Sequence, residues 1–152
     1  FNPGERFINC NVDILSNLNI NKLLTFHEQH NSLISFAVTD RKTSRYLLFD
    51  ENNRLCGWRN SLTGEEKGPH LTSPQRGGTT SLIEKAYSCF VVFEYDIFRL
   101  MEENNFTGKF SLIDVYLKLA ADHLIMGYDH SGDKLVDVGK PESVAVAESL
   151  FV

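Results

Sequence analysis

A chain of 152 residues, 42% hydrophobic and 23% charged, suits one domain with a real core and excludes general disorder. Its 15 Lys and Arg against 20 Asp and Glu leave a net charge of -5, which argues against nucleic-acid partners because these require clustered cations. With no apolar stretch long enough to cross a membrane and no signal peptide, a soluble, cytoplasmic protein is expected.

In chain order, Arg6 to Val12 reads as a short strand leading to Asp13. Residues 19 to 30 read as a helix, with Ile20, Leu23, Leu24 and His27 on one face. Ser32 to Val38 has the continuous apolar character of a buried strand. Arg45 to Phe49 and Arg54 to Trp58 form a hairpin across a polar link at 50–53. From Arg59 to Thr80 the periodicity disappears among Gly and Pro residues, and a surface loop or a flap facing the substrate is expected. Order returns with a strand at Ala86 to Phe93 and a helix capped by Asp96 and running to about Asn104. Ser111, followed three residues on by Asp114, opens the clearest amphipathic helix, with Leu112, Val115, Tyr116, Leu119 and Ala120 in one stripe. His123 to Tyr128 and Lys134 to Val138 read as strands, and Pro141 begins a closing helix. Strands alternating with helices, with antiparallel pairs added, give α/β with a mixed sheet.

Two aspartates stand where chemistry belongs. Asp13 follows a strand and so lies at a carboxyl end, where α/β sheets bind ligands. Asp137, flanked by Val136 and Val138 and followed by Gly139, points from another strand end. Each could hold Mg²⁺, which prefers oxygen ligands; each could equally satisfy backbone donors of its loop, the commoner use of such residues. If their strands lie side by side, the two converge on one ion. Cys10, Cys56 and Cys89 lack zinc-site spacing and read as ordinary buried thiols. His27 and His30 read as helix packing, not a metal pair. Arg45 and Arg59 suit surface ion pairs, Trp58 the core, and Glu84 and Lys85 are weak candidates for a sugar pocket.

The run Asn11-Val12-Asp13-Ile14-Leu15, then Asn19-Ile20 and His27, resembles the metal-binding segment of sugar-1-phosphate nucleotidyltransferases. Residues 43–50, Cys56-Gly57-Trp58, residues 110–117 and Gly127-Tyr128 continue the resemblance. The chain closes on Asp137-Val138-Gly139-Lys140-Pro141-Glu142, similar to the family's Asp-Val-Gly-x-Pro-Glu ending. The nearest kinds are mannose-1-phosphate guanylyltransferase-like and N-acetylmuramate-1-phosphate uridylyltransferase-like enzymes. The resemblance implies a mixed, mainly parallel sheet of the nucleotide-diphospho-sugar transferase type. It implies a nucleoside triphosphate and a sugar 1-phosphate as substrates. Asp13 and Asp137 would be the catalytic, Mg²⁺-holding pair, and Asn11, Gly139 and Lys140 would bind alongside.

The departures matter as much. The family's Gly-x-Gly-x-Arg loop and downstream Pro-Lys, which wrap the nucleotide phosphates, do not occur here; Gly77-Gly78 lies in the wrong place. Residues 1–152 therefore read as a single C-terminal domain lacking the N-terminal nucleotide-binding strands, inactive alone. A sheet edge left open in this way invites a homo-oligomer. Where the family usually carries Ser-Gly-Ile, this chain has Ser88-Cys89-Phe90, and Leu135 replaces an aromatic residue before the second Asp. The rival readings are a metal-dependent glycosyltransferase and a non-catalytic domain that binds sugar phosphate or assembles with a partner.

Overall fold

Apolar runs rich in β-branched and aromatic residues supply the strands of a central sheet. The computed structural model describes residues 2–69 and 82–151. Strands β1 (Phe7–Cys10) and β2 (Ile14–Ser16) precede helix α1 (Ile20–His30). Strands β3 (Ile34–Thr39), β4 (Arg45–Phe49), β5 (Leu55–Asn60), β6 (Glu66–Lys67) and β7 (Ile83–Phe93) follow. Helices α2 (Ile97–Glu103) and α3 (Leu112–Leu119), strands β8 (Ile125–Asp129) and β9 (Leu135–Asp137), and helix α4 (Glu142–Phe151) complete the chain.

The main sheet runs β6-β5-β4-β7-β3-β8, with β1 also paired to β7, while β2 and β9 form a separate two-stranded sheet. The fold is α/β with a mixed sheet, as expected. Its pairing is not mainly parallel, however. Strands β1, β3 and β4 all pair antiparallel with β7, and the parallel pair among the described residues is β3 with β8. The cause is positional: β1, β3, β4 and β8 share one direction, but β7 lies between β3 and the others and runs against them. A parallel pair needs a long crossover, and the segment through α2 and α3 supplies one before β8.

Every residue of β3 is buried, because helices cover both faces of the sheet. Ile34, Phe36 and Val38 pack with Ile97 and Leu100 of α2 and with Val115, Tyr116 and Leu119 of α3. Ala37 packs on the other side with Leu18 and with Leu23 of α1. This is the period-2 alternation of a strand meeting the 3.6-residue stripes of helices. Asn19 caps α1 by accepting from the Lys22 N–H, and Ser111 caps α3 by accepting from the Ile113 N–H. Asp96 precedes α2 but makes no capping bond; its carboxylate pairs with Arg99 instead, 3.0 Å away.

Order also extends further than the turn residues suggested. β5 continues to Asn60 and pairs with β6, so regular structure reaches Lys67. The rest of the expected loop, from residue 70, lies outside the described residues.

Candidate active site

The chain leaves β1 at Asn11, whose N–H donates to the Cys89 carbonyl of β7 at 3.3 Å. A turn through Val12 and Asp13 leads into β2, which pairs antiparallel with β9 so that Ile14 lies opposite Asp137. The Val138 N–H then donates to the Asp13 carbonyl at 2.8 Å. This short two-stranded sheet brings the two aspartates together from opposite ends of the chain. A Cβ placed on Gly139 would stand 2.9 Å from Asp13 Oδ2 and 3.1 Å from Asp137 Oδ1. Both carboxylates therefore converge on a space that exists because residue 139 is glycine. The Gly139 N–H also donates to Asp137 Oδ1 at 3.0 Å and orients it.

Two hard oxygens facing one gap suit a divalent cation with an oxygen shell. Among the described residues no group of three or more His, Cys, Asp or Glu is placed to hold a metal. Mg²⁺ is commonly bound by one or two carboxylates plus substrate phosphates and waters. Asn11 and Lys140 flank the pair and are exposed. Lys140 makes no ion pair among the described residues, and its carbonyl accepts from Ser143 at the start of α4.

Cys89 is tied to the strand leading into the pair through Asn11, and Arg41 reaches the same strand β7 at Tyr87; sequence reasoning noted Cys89 only as a departure from glycine and did not single out Arg41. Among the described residues, four non-glycine residues have positive φ: Asn31, Asn53, Asn105 and Cys89 at 63°. Asparagine tolerates this left-handed region through its short polar side chain; cysteine has no such advantage. The register of β3 against β7 shifts between Phe36 and Val38, opposite residues 87–91, so Cys89 sits in a bulge. A glycine where Cys89 stands would fit that backbone without strain. Burial pushes the Cys89 thiol above its ordinary range, with Arg41 opposing and Asp13 and Asp137 adding to the rise. Arg41 extends from the loop after β3 and donates from Nη2 to the Tyr87 carbonyl at 3.0 Å.

Next to Cys89, Ser88 Oγ lies 2.8 Å from His130 Nε2, and His130 Nδ1 lies 3.4 Å from Asp133 Oδ2. Burial holds His130 below the usual imidazole range. Ser88 is only 1% exposed, so this trio orders the bulge and offers no nucleophile.

The remaining candidates are placed elsewhere. His27 is buried, and its ring nitrogens meet Ser35 and Glu94; His30 is exposed and packs on Phe26. Arg59 pairs with Glu66 and Glu84, and Lys85 pairs with Asp129. Arg45 is exposed at the start of β4. Trp58 is half-buried with the Lys67 ammonium over its ring. Cys56 is buried, Cys89 half-buried and Cys10 exposed, which corrects the expectation of three buried thiols; Cys10 lies on β1, where its side chain faces away from the core.

No family model and no curated protein matches this chain. Solved structures do. One is a chain assigned as a glucose-1-phosphate thymidylyltransferase from Bacillus anthracis, with TM-score 0.66 and 12% identity over 97% of this chain and 55% of that one. Another is the inositol-1-phosphate CTP transferase from T. maritima, with TM-score 0.62 and 14% identity over 97% of this chain and 56% of that one. The fold is shared. This chain spans little more than half the length of these solved structures.

Proposed function

We propose that this chain is the C-terminal, metal- and sugar-phosphate-binding portion of a nucleotidyltransferase that makes a nucleotide sugar and pyrophosphate from a nucleoside triphosphate and a sugar 1-phosphate. The observation that carries the reading is the convergence of Asp13 and Asp137 on the gap at Gly139, within a fold shared with sugar-phosphate nucleotidyltransferases. Mannose 1-phosphate with GTP is the first substrate choice, on the motif resemblance; UTP is the second.

In the reaction, an oxygen of the sugar phosphate attacks the α-phosphorus of the nucleotide. The bond to the bridging oxygen of the β-phosphate breaks, and pyrophosphate carries away the electron pair. Bound Mg²⁺ would neutralise charge on the phosphates as that bond breaks. The chain itself supplies position and electrostatics rather than a nucleophile. Asp13 is fixed through its carbonyl by Val138, and Asp137 through its side chain by the Gly139 N–H. Lys140 is one residue beyond Gly139, and its ammonium extends the positive field for phosphate oxygens.

The nucleotide's phosphates need a grip that the motifs of residues 1–152 do not supply, so the chain alone is expected to be inactive. The test is pyrophosphate release by the full-length protein with Mg²⁺, each of four nucleoside triphosphates and a panel of sugar 1-phosphates. Release that needs both substrates and falls about 10²-fold or more in Asp137→Asn supports the reading. Release of nucleoside diphosphate from a ready-made sugar nucleotide would replace it with glycosyl transfer.

A further inference from the structure

The aspartate pair brings only negative charge to a site that must hold phosphates. Besides Lys140, a compensating group is available at the same end of the sheet in Arg41. Strand β3 shares its direction with β1, and both pair with β7, so the loop after β3 and the turn after β1 open toward the same end of the sheet. Arg41 follows β3 by two residues, and its side chain folds back to donate to the Tyr87 carbonyl at 3.0 Å. Two residues further along β7, the Cys89 carbonyl accepts from Asn11, which leads into Asp13.

Arg41 is also uncommitted. Among the described residues Arg6, Arg59, Arg99, Lys67 and Lys85 are engaged by carboxylates, whereas Arg41 makes no ion pair. Guanidinium carries five N–H donors in a planar fork, and a carbonyl bond from Nη2 leaves donors for a bidentate oxyanion. The anchor to Tyr87 reduces the freedom lost when such an anion binds. Arg45, a few residues further on, has no such anchor.

We propose that Arg41 binds a substrate phosphate, its guanidinium taking the oxygens turned away from the Asp13–Asp137 pair. The proposal rests on the reading of that pair as the phosphate-holding site. The phosphate could belong to the sugar 1-phosphate or to the β,γ-portion of the nucleotide, and the experiment separates these sources.

Binding of α-D-mannose 1-phosphate and of inorganic pyrophosphate, each with Mg²⁺, would be measured calorimetrically on the full-length protein and on Arg41→Gln, Arg41→Lys and Arg45→Gln. Arg41→Gln should weaken at least one ligand about tenfold or more. Arg41→Lys should fall between, because it keeps the charge and loses the fork. Arg45→Gln should bind as the parent does. Thermal melts of all four proteins should coincide, since both arginines are exposed. A loss confined to mannose 1-phosphate assigns Arg41 to the acceptor, and a loss confined to pyrophosphate assigns it to the nucleotide. Unchanged binding in Arg41→Gln overturns the proposal, as does absence of binding in the parent protein. If the anions bind through Arg41 but no substrate pair releases pyrophosphate, the nucleotidyl-transfer reading falls and the phosphate site stands.

Discussion

At the scale of single residues, the site depends on an absent methyl group. Gly139→Ala would put a carbon between Asp13 Oδ2 and Asp137 Oδ1, at distances where it must displace one carboxylate. The expected outcome is Mn²⁺ affinity, read by electron paramagnetic resonance, weakened about tenfold or more. The melting temperature should barely change, because Gly139 is exposed. Mg²⁺ alone should raise the melting temperature of the parent protein, since an ion that binds only the folded state stabilises it. In Asp137→Asn that rise should vanish; if it persists, the pair does not hold the ion. Both aspartates were legible as strand-end acids and as motif residues, yet their meeting was not. It depends on the pairing of β2 with β9, and three-residue strands carry too little pattern to announce themselves. Arg41 stayed hidden because a charge after a strand reads as solvent-facing. Cys89 showed only as a departure from glycine, and the physical reason, a positive φ, is a property of the folded backbone.

Among the secondary-structure elements, a buried polar chain ties α1 to the sheet. His27 of α1 meets Ser35 of β3 at 2.9 Å and Glu94, just past β7, at 3.1 Å; Arg6 reaches Glu94 in turn. Burial, outweighing Glu94, lowers the His27 pKa from the usual 6.5. With the folded value depressed, the unfolded chain takes up the proton first as acid is added. The stability due to neutral His27 is then fully present above about pH 6.5 and is lost as pH falls through the lowered folded value. His130, also lowered by burial, adds in the same direction. Urea midpoints should fall between pH 8 and pH 5, and His27→Gln should flatten that slope. An equal slope in the variant would locate the linkage elsewhere. In β8, a Cβ on Gly127 would meet the Phe49 ring at 2.6 Å. Gly127→Ala should destabilise by about 1–3 kcal/mol through overpacking, measured by chemical denaturation. The elements themselves read well from the sequence wherever they were long. α1, β3, β4 and α3 follow from periodicity and caps alone, whereas β6 rests on pairing with β5, which no local pattern encodes.

For the whole molecule, the telling feature is β1. Among the described residues it pairs on one side with β7, and its Ile8 is 37% exposed. A strand with an open backbone edge and an apolar outer residue recruits another strand. The 152-residue chain by itself should therefore self-associate with rising concentration in sedimentation experiments, and Ile8→Lys should shift it toward monomer. A monomeric parent chain at high concentration would show that the edge is otherwise protected. The α/β class was legible because apolar runs and amphipathic stripes alternate along the chain. Strand direction was not, since the position of β7 between β1 and β3 is a matter of topology, invisible to any window of sequence. The β2–β9 pairing has a consequence in time as well as in space. In chain order Asp13 follows β1 alone of the main sheet's seven strands, whereas Asp137 follows all of them. A nascent chain still on the ribosome can assemble most of this sheet before Asp137 emerges, so the gap at Gly139 forms after the strands of the main sheet. Loss of β9 at that stage would leave the main sheet in place and remove one of the two carboxylates that face Gly139.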